Sequence, residues 1–377
     1  MNNPINPTII KNKNRQLIYQ YIRNNGPVSK QDIVVDVGLS IPTVTQNLQY
    51  LRKQNYIVPS EVKKLTGGRS ASTYIAQNDC RMAIGVHISQ NHIAAASVNL
   101  AGSVICFHRK RIKFDISSES YLKELGKSVE EVKAEAHISD EQLLGVGISV
   151  PCLVTEDGEE ILYSLTMDFK GRSRKEIAAY IPYRNRLFHD SSAAGFAEIW
   201  TYRDTDNAFY LNLNNSIGGC VILNKEIYYG DSNRAGEIGH MKLVLDSPQK
   251  CYCGKYGCFD TVCNASILDS YTNDNLENFF FLLEQHDAGA EKIWNKYLND
   301  LAVGIHNLHM LFDCRIIIGG YVGSLITPYI DNLCSRIDSM DIFHELAADY
   351  VTPCRYKIEA TAAGAAINYI SDFVESI

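Results

Sequence analysis

No apolar run in this 377-residue chain is long enough to cross a bilayer. The opening stretch, MNNPINPTIIKNKNRQ, has no apolar core of the kind a secretory signal carries. A regular cysteine framework is missing too. There are eleven cysteines, an odd number, and Cys80, Cys106, Cys152, Cys220, Cys314, Cys334 and Cys354 are scattered. A secreted disulfide scaffold is shorter and more evenly spaced, so most of these thiols read as small buried hydrophobes. Nor is there a disorder signature: 46% of residues are hydrophobic and 21% charged, enough to bury a real core. These absences lead to the expectation of a cytoplasmic protein without membrane contact, of two or three domains given its length.

What is present is an uneven charge. The chain has a formal net charge of −7, yet residues 1–75 hold ten Lys/Arg against three acids, a net of +7, and the remainder carries −14. A basic head on an acidic body suggests a polyanion-binding module joined to something else. Its pattern sharpens that reading. NRQLIYQYIRNN has apolar residues at 17, 18, 21 and 22, a helical stripe that Gly26-Pro27 ends. Ser29 is a good N-cap with Asp32 in the capping-box position, and Gly38 is a plausible left-handed C-cap. Ser40 caps a third helix over 41–53, with Pro42 in its first turn and Val44, Leu48 and Leu51 on its core side. Two short helices about a Gly-containing turn form a helix-turn-helix. The open side of the third helix offers Thr43, Thr45, Gln46, Gln49 and Arg52, with Ser40 at its start; these types bond base edges or phosphates. A hairpin follows across 55–76, from NYIV to TYIA, with Lys63, Lys64 and Arg69 near a tip turned by Gly67-Gly68. The whole is a winged helix, with the third helix expected in a major groove and the wing at 60–72 against backbone or minor groove.

From Arg81 the texture changes. Strand-hairpin sets followed by helices occur twice, which predicts an α/β body of two similar lobes with a ligand cleft between them. Within the body, CYCGKYGC (251–258) puts Cys251, Cys253 and Cys258 in C-x-C-x4-C spacing, with Gly254 and Gly257 letting the chain fold back. Soft thiolates favour zinc over magnesium or calcium, and a closed four-ligand shell is structural rather than hydrolytic. Spacing alone leaves the fourth ligand open: His240 of the upstream GEIGH, or Cys263, which completes C-x-C-x4-C-x4-C. Three core cysteines without metal are a further reading.

The order winged helix, VGISVP, HDSSAAGFAE, GEIGH, CYCGKYGCFD and IIIGG resembles the ROK family (repressor, open reading frame, kinase), and its sugar-responsive repressors in particular. The resemblance spans nearly the whole chain and implies the two-lobed actin-like, hexokinase-like ATPase-type fold. It implies His240 as the fourth zinc ligand and as a sugar contact, through its two ring nitrogens. Asp190 and Glu237 match family sugar ligands; Asp260 stands where the family usually has Glu, shorter by about 1.5 Å of reach. An active kinase of the family has D-x-G-G-T-K in its first phosphate loop. Here the match is HISQNH, with His87 for the acid and Ser89-Gln90-Asn91 for Gly-Gly-Thr. The second loop, G-T-G-x-G-G-G in kinases, is NNSIGGC (214–220). The catalytic aspartate survives as Asp190, after His189 in place of Asn. Two damaged phosphate cradles argue against phosphoryl transfer.

The expectation is a sugar-responsive, DNA-binding repressor with structural Zn²⁺, a sugar or sugar-phosphate effector, and a homodimer or homotetramer on a double-stranded operator. Residues 1–78 form the winged helix, 79–190 the first lobe, and 191–377 the second, whose C-terminal helix packs back on the first. The alternatives are an ATP-dependent sugar kinase with an added DNA-binding domain, and a DNA-binding regulator that has lost sugar response.

Overall fold

The computed structural model describes residues 7–66, 69–169, 171–202 and 205–377; residues 7, 8, 63–66, 69 and 70 are described in backbone only. The first element, α1 (Pro7–Asn25), begins well before the predicted stripe. It buries Ile18, Tyr19 and Ile22, while Leu17 stays 40% exposed. The i, i+1, i+4 spacing of that inner face differs from the expected 17, 18, 21, 22: Tyr21 lies half-buried at its margin, with its hydroxyl bonded to Asp36. After β1 (Val28–Ser29), α2 (Lys30–Val37) opens with a full capping box: Ser29 Oγ accepts from Asp32 N at 3.2 Å, and Asp32 Oδ2 accepts from Ser29 N at 2.9 Å. Gly38 ends the helix at φ +71°. Ser40 then caps α3 (Ile41–Lys53), which buries Val44, Asn47, Leu48 and Leu51. The hairpin β2 (Ile57–Thr66) and β3 (Arg69–Ala76) is antiparallel, and β1 adds to β3, giving sheet order β1-β3-β2. This is a winged helix.

The body contains two five-stranded sheets of the same plan. In the first, β4 (Met82–Ile88), β5 (His92–Asn99) and β6 (Val104–Arg111) form an antiparallel meander, α4 (Glu119–Glu135) crosses over, and β7 (Leu143–Val150) returns parallel to β4. A small hairpin, β8 (Leu153–Val154) with β9 (Ile161–Tyr163), and the short α5 (Arg174–Ile177) lead to β10 (Asn185–His189), parallel to β7. Next comes α6 (Asp190–Thr201). The second sheet repeats the scheme: meander β11 (Ala208–Leu213), β12 (Ile217–Leu223), β13 (Glu226–Tyr228), then parallel β14 (Arg315–Gly319) and β15 (Val351–Pro353). Between β13 and β14 lie the cysteine loop, α7 (Asp260–Cys263), α8 (Ser266–Asp269), α9 (Leu276–Glu284) and the long α10 (Ala288–Phe312). Helices α11 (Gly320–Leu325), α12 (Ile330–Asp338) and α13 (Ala347–Tyr350) follow β14, and α14 (Ala360–Ser376) ends the chain. Strand orders β6-β5-β4-β7-β10 and β13-β12-β11-β14-β15 superpose in sequence of pairing, so the two lobes share one topology.

The last helix of each half covers the other half. Helix α14 lies on β4, β5 and β7 of the first sheet, and α6 lies on β12 and β11 of the second. The two helices pack directly on each other, which their small residues permit: a Cβ on Gly364 would stand 1.9 Å from the carbonyl oxygen of Ala193, and one on Gly85 1.7 Å from that of Ala362. One hydrophobic core runs without a break from the winged helix (Ile18, Ile22, Leu51, Ile57) into the body (Val98, Ala197, Ile367, Ile370). Polar and aromatic contacts reinforce the junction. Arg15 donates to the terminal oxygen of Ile377 at 3.2 Å, Tyr56 meets Phe373 edge-on at 5.3 Å, and the Arg23 guanidinium sits 3.7 Å above the Trp200 ring. Among the described residues no helix is long and apolar enough to cross a membrane.

Candidate functional site

The cysteine loop is shaped by its own backbone. Cys251 N donates to Lys255 O and Gly254 N to Cys251 O, each at 2.8 Å, closing a tight turn. Leu243 N and Phe259 N bond back to Gly257 O and Met241 O at 2.8 Å, which ties the loop to the segment after His240. Gly257 has φ +74°, and a Cβ there would lie 1.9 Å from Val244 O, so this crossing admits only glycine. The result brings four soft donors together. His240 Nδ1 is 3.6 Å from Cys251 Sγ, Cys253 Sγ is 3.7 Å from Cys258 Sγ, and all four atoms lie within 4.8 Å of one another. Ligand atoms around a tetrahedral Zn²⁺ with bonds of about 2.3 Å to sulfur stand about 3.7 Å apart, so the donor set fits that ion. Cys263 is elsewhere: it is fully buried and its Sγ faces Tyr297 O at 3.9 Å.

His240 joins this loop to an open cleft between the lobes. Asp190 and Glu237 line it with His240, as do Tyr163, His189 and Tyr252. Asp190 is the first residue of α6, where a carboxylate is favoured by the helix dipole. The hydrogen bonds it accepts converge on Oδ1, from Ser191 N at 2.6 Å and Ser191 Oγ at 3.2 Å, and His189 Nε2 lies 3.3 Å from the same oxygen. The partner ring nitrogen of His189 meets Ser192 Oγ at 3.2 Å. Asp260 occupies a different position from Asp190 and Glu237. It is 3% exposed, does not line the cleft, and its Oδ1 accepts from Ile217 N at 2.7 Å; burial lifts its pKa above the usual carboxylate value. It braces the loop carrying Ser216 and Ile217 and reaches the cleft only through that backbone. Tyr252 and Tyr163 were not anticipated from sequence. Tyr252 stands between two clustered cysteines and its ring meets His240 at 5.1 Å, so the cysteine spacing held a signal for it. Tyr163 had none.

In the stretches matching kinase phosphate loops, some polar groups are already bonded within the protein. Ser89 N and Oγ both bond His92 O, at 3.0 and 3.2 Å, and the oxygens of Gln90 and Asn91 accept from Phe114 and Ile112. His87 is half-buried, and desolvation is the chief cause that lowers its pKa. In the second stretch Ile217 N is taken by Asp260, and Asn214 Oδ1 accepts from Tyr321 N at 2.8 Å. Gly218 and Gly219 lie inside β12, where a Cβ on Gly218 would stand 2.4 Å from Ser191 Oγ and one on Gly219 2.4 Å from the Phe209 ring.

On the winged helix, Gln46, Gln49 and Arg52 are exposed on α3, with Thr43 and Thr45 half-buried. Ser40 Oγ is engaged at the helix start, with Thr43 Oγ1 at 2.8 Å. Tyr50 and Lys53 share the exposed surface, and Arg15 stacks on the Tyr50 ring at 3.6 Å. The side chains of Lys63, Lys64 and Arg69, and the Gly67-Gly68 turn, lie outside the described residues.

A model of the ROK family matches residues 83–370, and one described as winged helix-turn-helix DNA-binding matches residues 11–58. The chain belongs to the ROK family. A putative xylose repressor from Caldicellulosiruptor sp. (strain Rt8B.4) is 23% identical over 401 residues, covering 98% of both chains. The xylose repressor of Bacillus subtilis (strain 168) is 22% identical over 383 residues, again with 98% of each chain. The DNA-binding transcriptional dual regulator NagC of Escherichia coli (strain K12) is 23% identical over 267 residues, 70% of this chain and 65% of its own. Among solved structures, a ROK family transcriptional regulator, a homolog of the E. coli MLC protein, aligns with TM-score 0.73 over 97% of each chain at 20% identity. A ROK family glucokinase from Streptomyces griseus in complex with glucose and AMPPNP aligns with TM-score 0.64 over 76% of this chain and 98% of its own, at 18% identity. The winged helix in front of the ROK body is the arrangement found along the whole length of that solved regulator.

Proposed function

We propose that this ROK protein is a sugar-responsive transcriptional repressor that does not phosphorylate its ligand. The observation that carries the reading is a single core joining a winged helix to a sugar-kinase-like body whose stretches at 87–92 and 214–220 lack the kinase phosphate-loop pattern and have Ser89 N and Ile217 N taken inside the protein. In this reading α3 enters the major groove of a double-stranded operator, with Gln46, Gln49 and Arg52 toward bases and phosphates. A homodimer or homotetramer in the cytoplasm supplies two winged helices for a palindromic site. The effector, a sugar or sugar phosphate, lies in the cleft against Asp190, Glu237 and His240. Carboxylates and an imidazole on rigid elements suit hydroxyls that both donate and accept.

Zinc, held by His240, Cys251, Cys253 and Cys258, would brace that cleft as a closed structural centre. With Nδ1 of His240 given to the metal, Nε2 remains for a hydroxyl. Asp260 would act behind this surface by fixing the Ile217 amide.

Helix α6 offers the route from ligand to DNA. Its first residue, Asp190, lines the cleft, and near its other end, about 15–18 Å away, Trp200 lies under Arg23 of α1. A ligand that favours one lobe arrangement over another therefore acts on a helix already docked to the winged helix. A coupling of roughly 1–3 kcal/mol changes operator affinity about 5–150-fold. The test is operator retardation by the zinc-loaded protein across a panel of monosaccharides and their phosphates. One that releases DNA while raising the melting temperature supports the reading; a protein that binds DNA but responds to none is a regulator without sugar response.

A second reading, an ATP-dependent sugar kinase, is favoured by Asp190 at the family's catalytic position and by the glucokinase-like fold. Coupled ATP turnover with a panel of aldoses separates the two: turnover above background makes the chain a kinase.

A further inference from the structure

The polar groups between β6 and α4 have no part in the cleft, the cysteine loop or the winged helix. β6 is the edge strand of the first sheet, and its alternation sends Cys106, His108 and Lys110 to one side. That side faces α4, where such a strand ordinarily presents apolar residues. Helix α4 answers with Glu124, Glu131 and Glu135, spaced seven and four apart on one stripe. His108 Nε2 lies 2.7 Å from Glu135 Oε2, and His108 Nδ1 lies 3.9 Å from Glu131 Oε2. Lys110 Nζ pairs with Glu124 at 2.6 Å and Glu131 at 2.5 Å. The Cys106 sulfur, a His108 ring nitrogen and a Glu135 oxygen all fall within 4.8 Å of one another.

We propose that Cys106, His108 and Glu135 form a second metal site, for a zinc-class divalent transition ion, which clamps the edge strand β6 to α4. One thiolate, one imidazole and one carboxylate are a borderline-soft set that suits zinc and disfavours magnesium and calcium. The fourth position falls to water. Glu131, on the Nδ1 side of His108 and anchored by Lys110, is placed to orient the imidazole, as a carboxylate behind a ligating histidine does. A plain ladder of ion pairs along a solvated edge accounts for Lys110, Glu124 and Glu131. Without a metal the Cys106 thiol donates to Glu135, which already sets its sulfur beside the carboxylate. Cys106 is 6% exposed yet contacts a carboxylate, and burial followed by Glu135 pushes its pKa up to about 11. A sulfur and a carboxylate side by side repel once both are charged, and a dication between them turns that repulsion into attraction. Binding releases the thiol proton to solvent.

The test uses the full chain equilibrated in a buffer of fixed free Zn²⁺, with metal per chain measured by mass spectrometry of the element. The wild type is expected to hold one equivalent more than Cys106→Ser/His108→Ala, whatever the cysteine loop at 251–258 holds. Because both variant positions touch α4, Glu135→Ala is the second probe: this side chain is 61% exposed, so the fold is kept. Its remaining site should bind zinc at least about 10-fold more weakly. Equal metal content in wild type and double variant overturns the site, and so does unchanged zinc affinity in Glu135→Ala.

Discussion

Asp190 carries the ligand reading at the scale of single residues. Replacing it with Asn keeps the size and an acceptor for Ser191 N but removes the charge beside His189. Asp190→Asn should therefore weaken the effector by about 10-fold or more, the cost of one charge-assisted hydrogen bond, while operator affinity stays unchanged. Titration calorimetry and a retardation assay on the same variant check both halves; a collapse of DNA binding would make Asp190 structural. Glu198 is a second residue with a measurable signature. Wholly buried in α6, it accepts from Arg355 N and Tyr356 N, both at 2.9 Å, and desolvation raises its pKa from 4.5 to about 7. A carboxyl with a raised folded pKa holds its proton better in the native state. Its contribution is complete below about 4.5 and is lost as pH rises through about 7. Thermal melts should show wild-type stability falling between those values by up to about 3 kcal/mol, with a shallower fall in Glu198→Gln. Both residues lie in a stretch, HDSSAAGFAE, that was conspicuous in the sequence. Only Asp190 was singled out, because the partners of Glu198 are backbone amides 157 and 158 residues away.

Among the elements, α6 decides how the two ends of the molecule communicate. Its small residues pack on α14, its first turn lines the cleft, and Trp200 stacks beneath Arg23. Arg23→Ala should leave effector affinity of the free protein unchanged and reduce the effector's influence on operator affinity several-fold. Parallel calorimetry and DNA-binding curves with and without effector give that ratio; an undiminished ratio would route the coupling elsewhere, through α14 and Arg15. Capping residues make α2 and α3 legible in the sequence, since Ser29, Asp32, Gly38 and Ser40 act on neighbours within three or so positions. The inner face of α1 was not legible to the same degree. Its apolar residues fit two adjacent stripes, and packing against α3 and the body chose the one through Ile18, Tyr19 and Ile22.

For the whole molecule, linkage fixes a reciprocal effect. If effector weakens operator binding by some factor, operator must weaken effector binding by the same factor. Calorimetric titration of effector into the protein, alone and saturated with operator, should give dissociation constants in that ratio. Equal constants would end the repressor reading while leaving the fold and the metal loop intact. The continuous core between winged helix and body supports such an exchange, because among the described residues the buried apolar side chains of the head form one cluster with those of α14 and α6.

The sequence by itself determined the winged helix, the two-lobed α/β body, and the membership of Cys251, Cys253 and Cys258 in one cluster. Each of these rests on caps, periodicity or spacing, which are set by residues a few positions apart. Spacing left two candidates to join those cysteines and the family resemblance pointed to His240; the tertiary structure brings it there, because the chain folds back so that His240 meets the sulfurs while Cys263 turns into the core toward Tyr297. It also placed Asp260 behind the cleft rather than in it, crossed α6 and α14 onto each other's lobes, and set Cys106 and His108 against Glu135. These arrangements depend on close approach between segments distant in the chain, and local pattern carries no record of such distances.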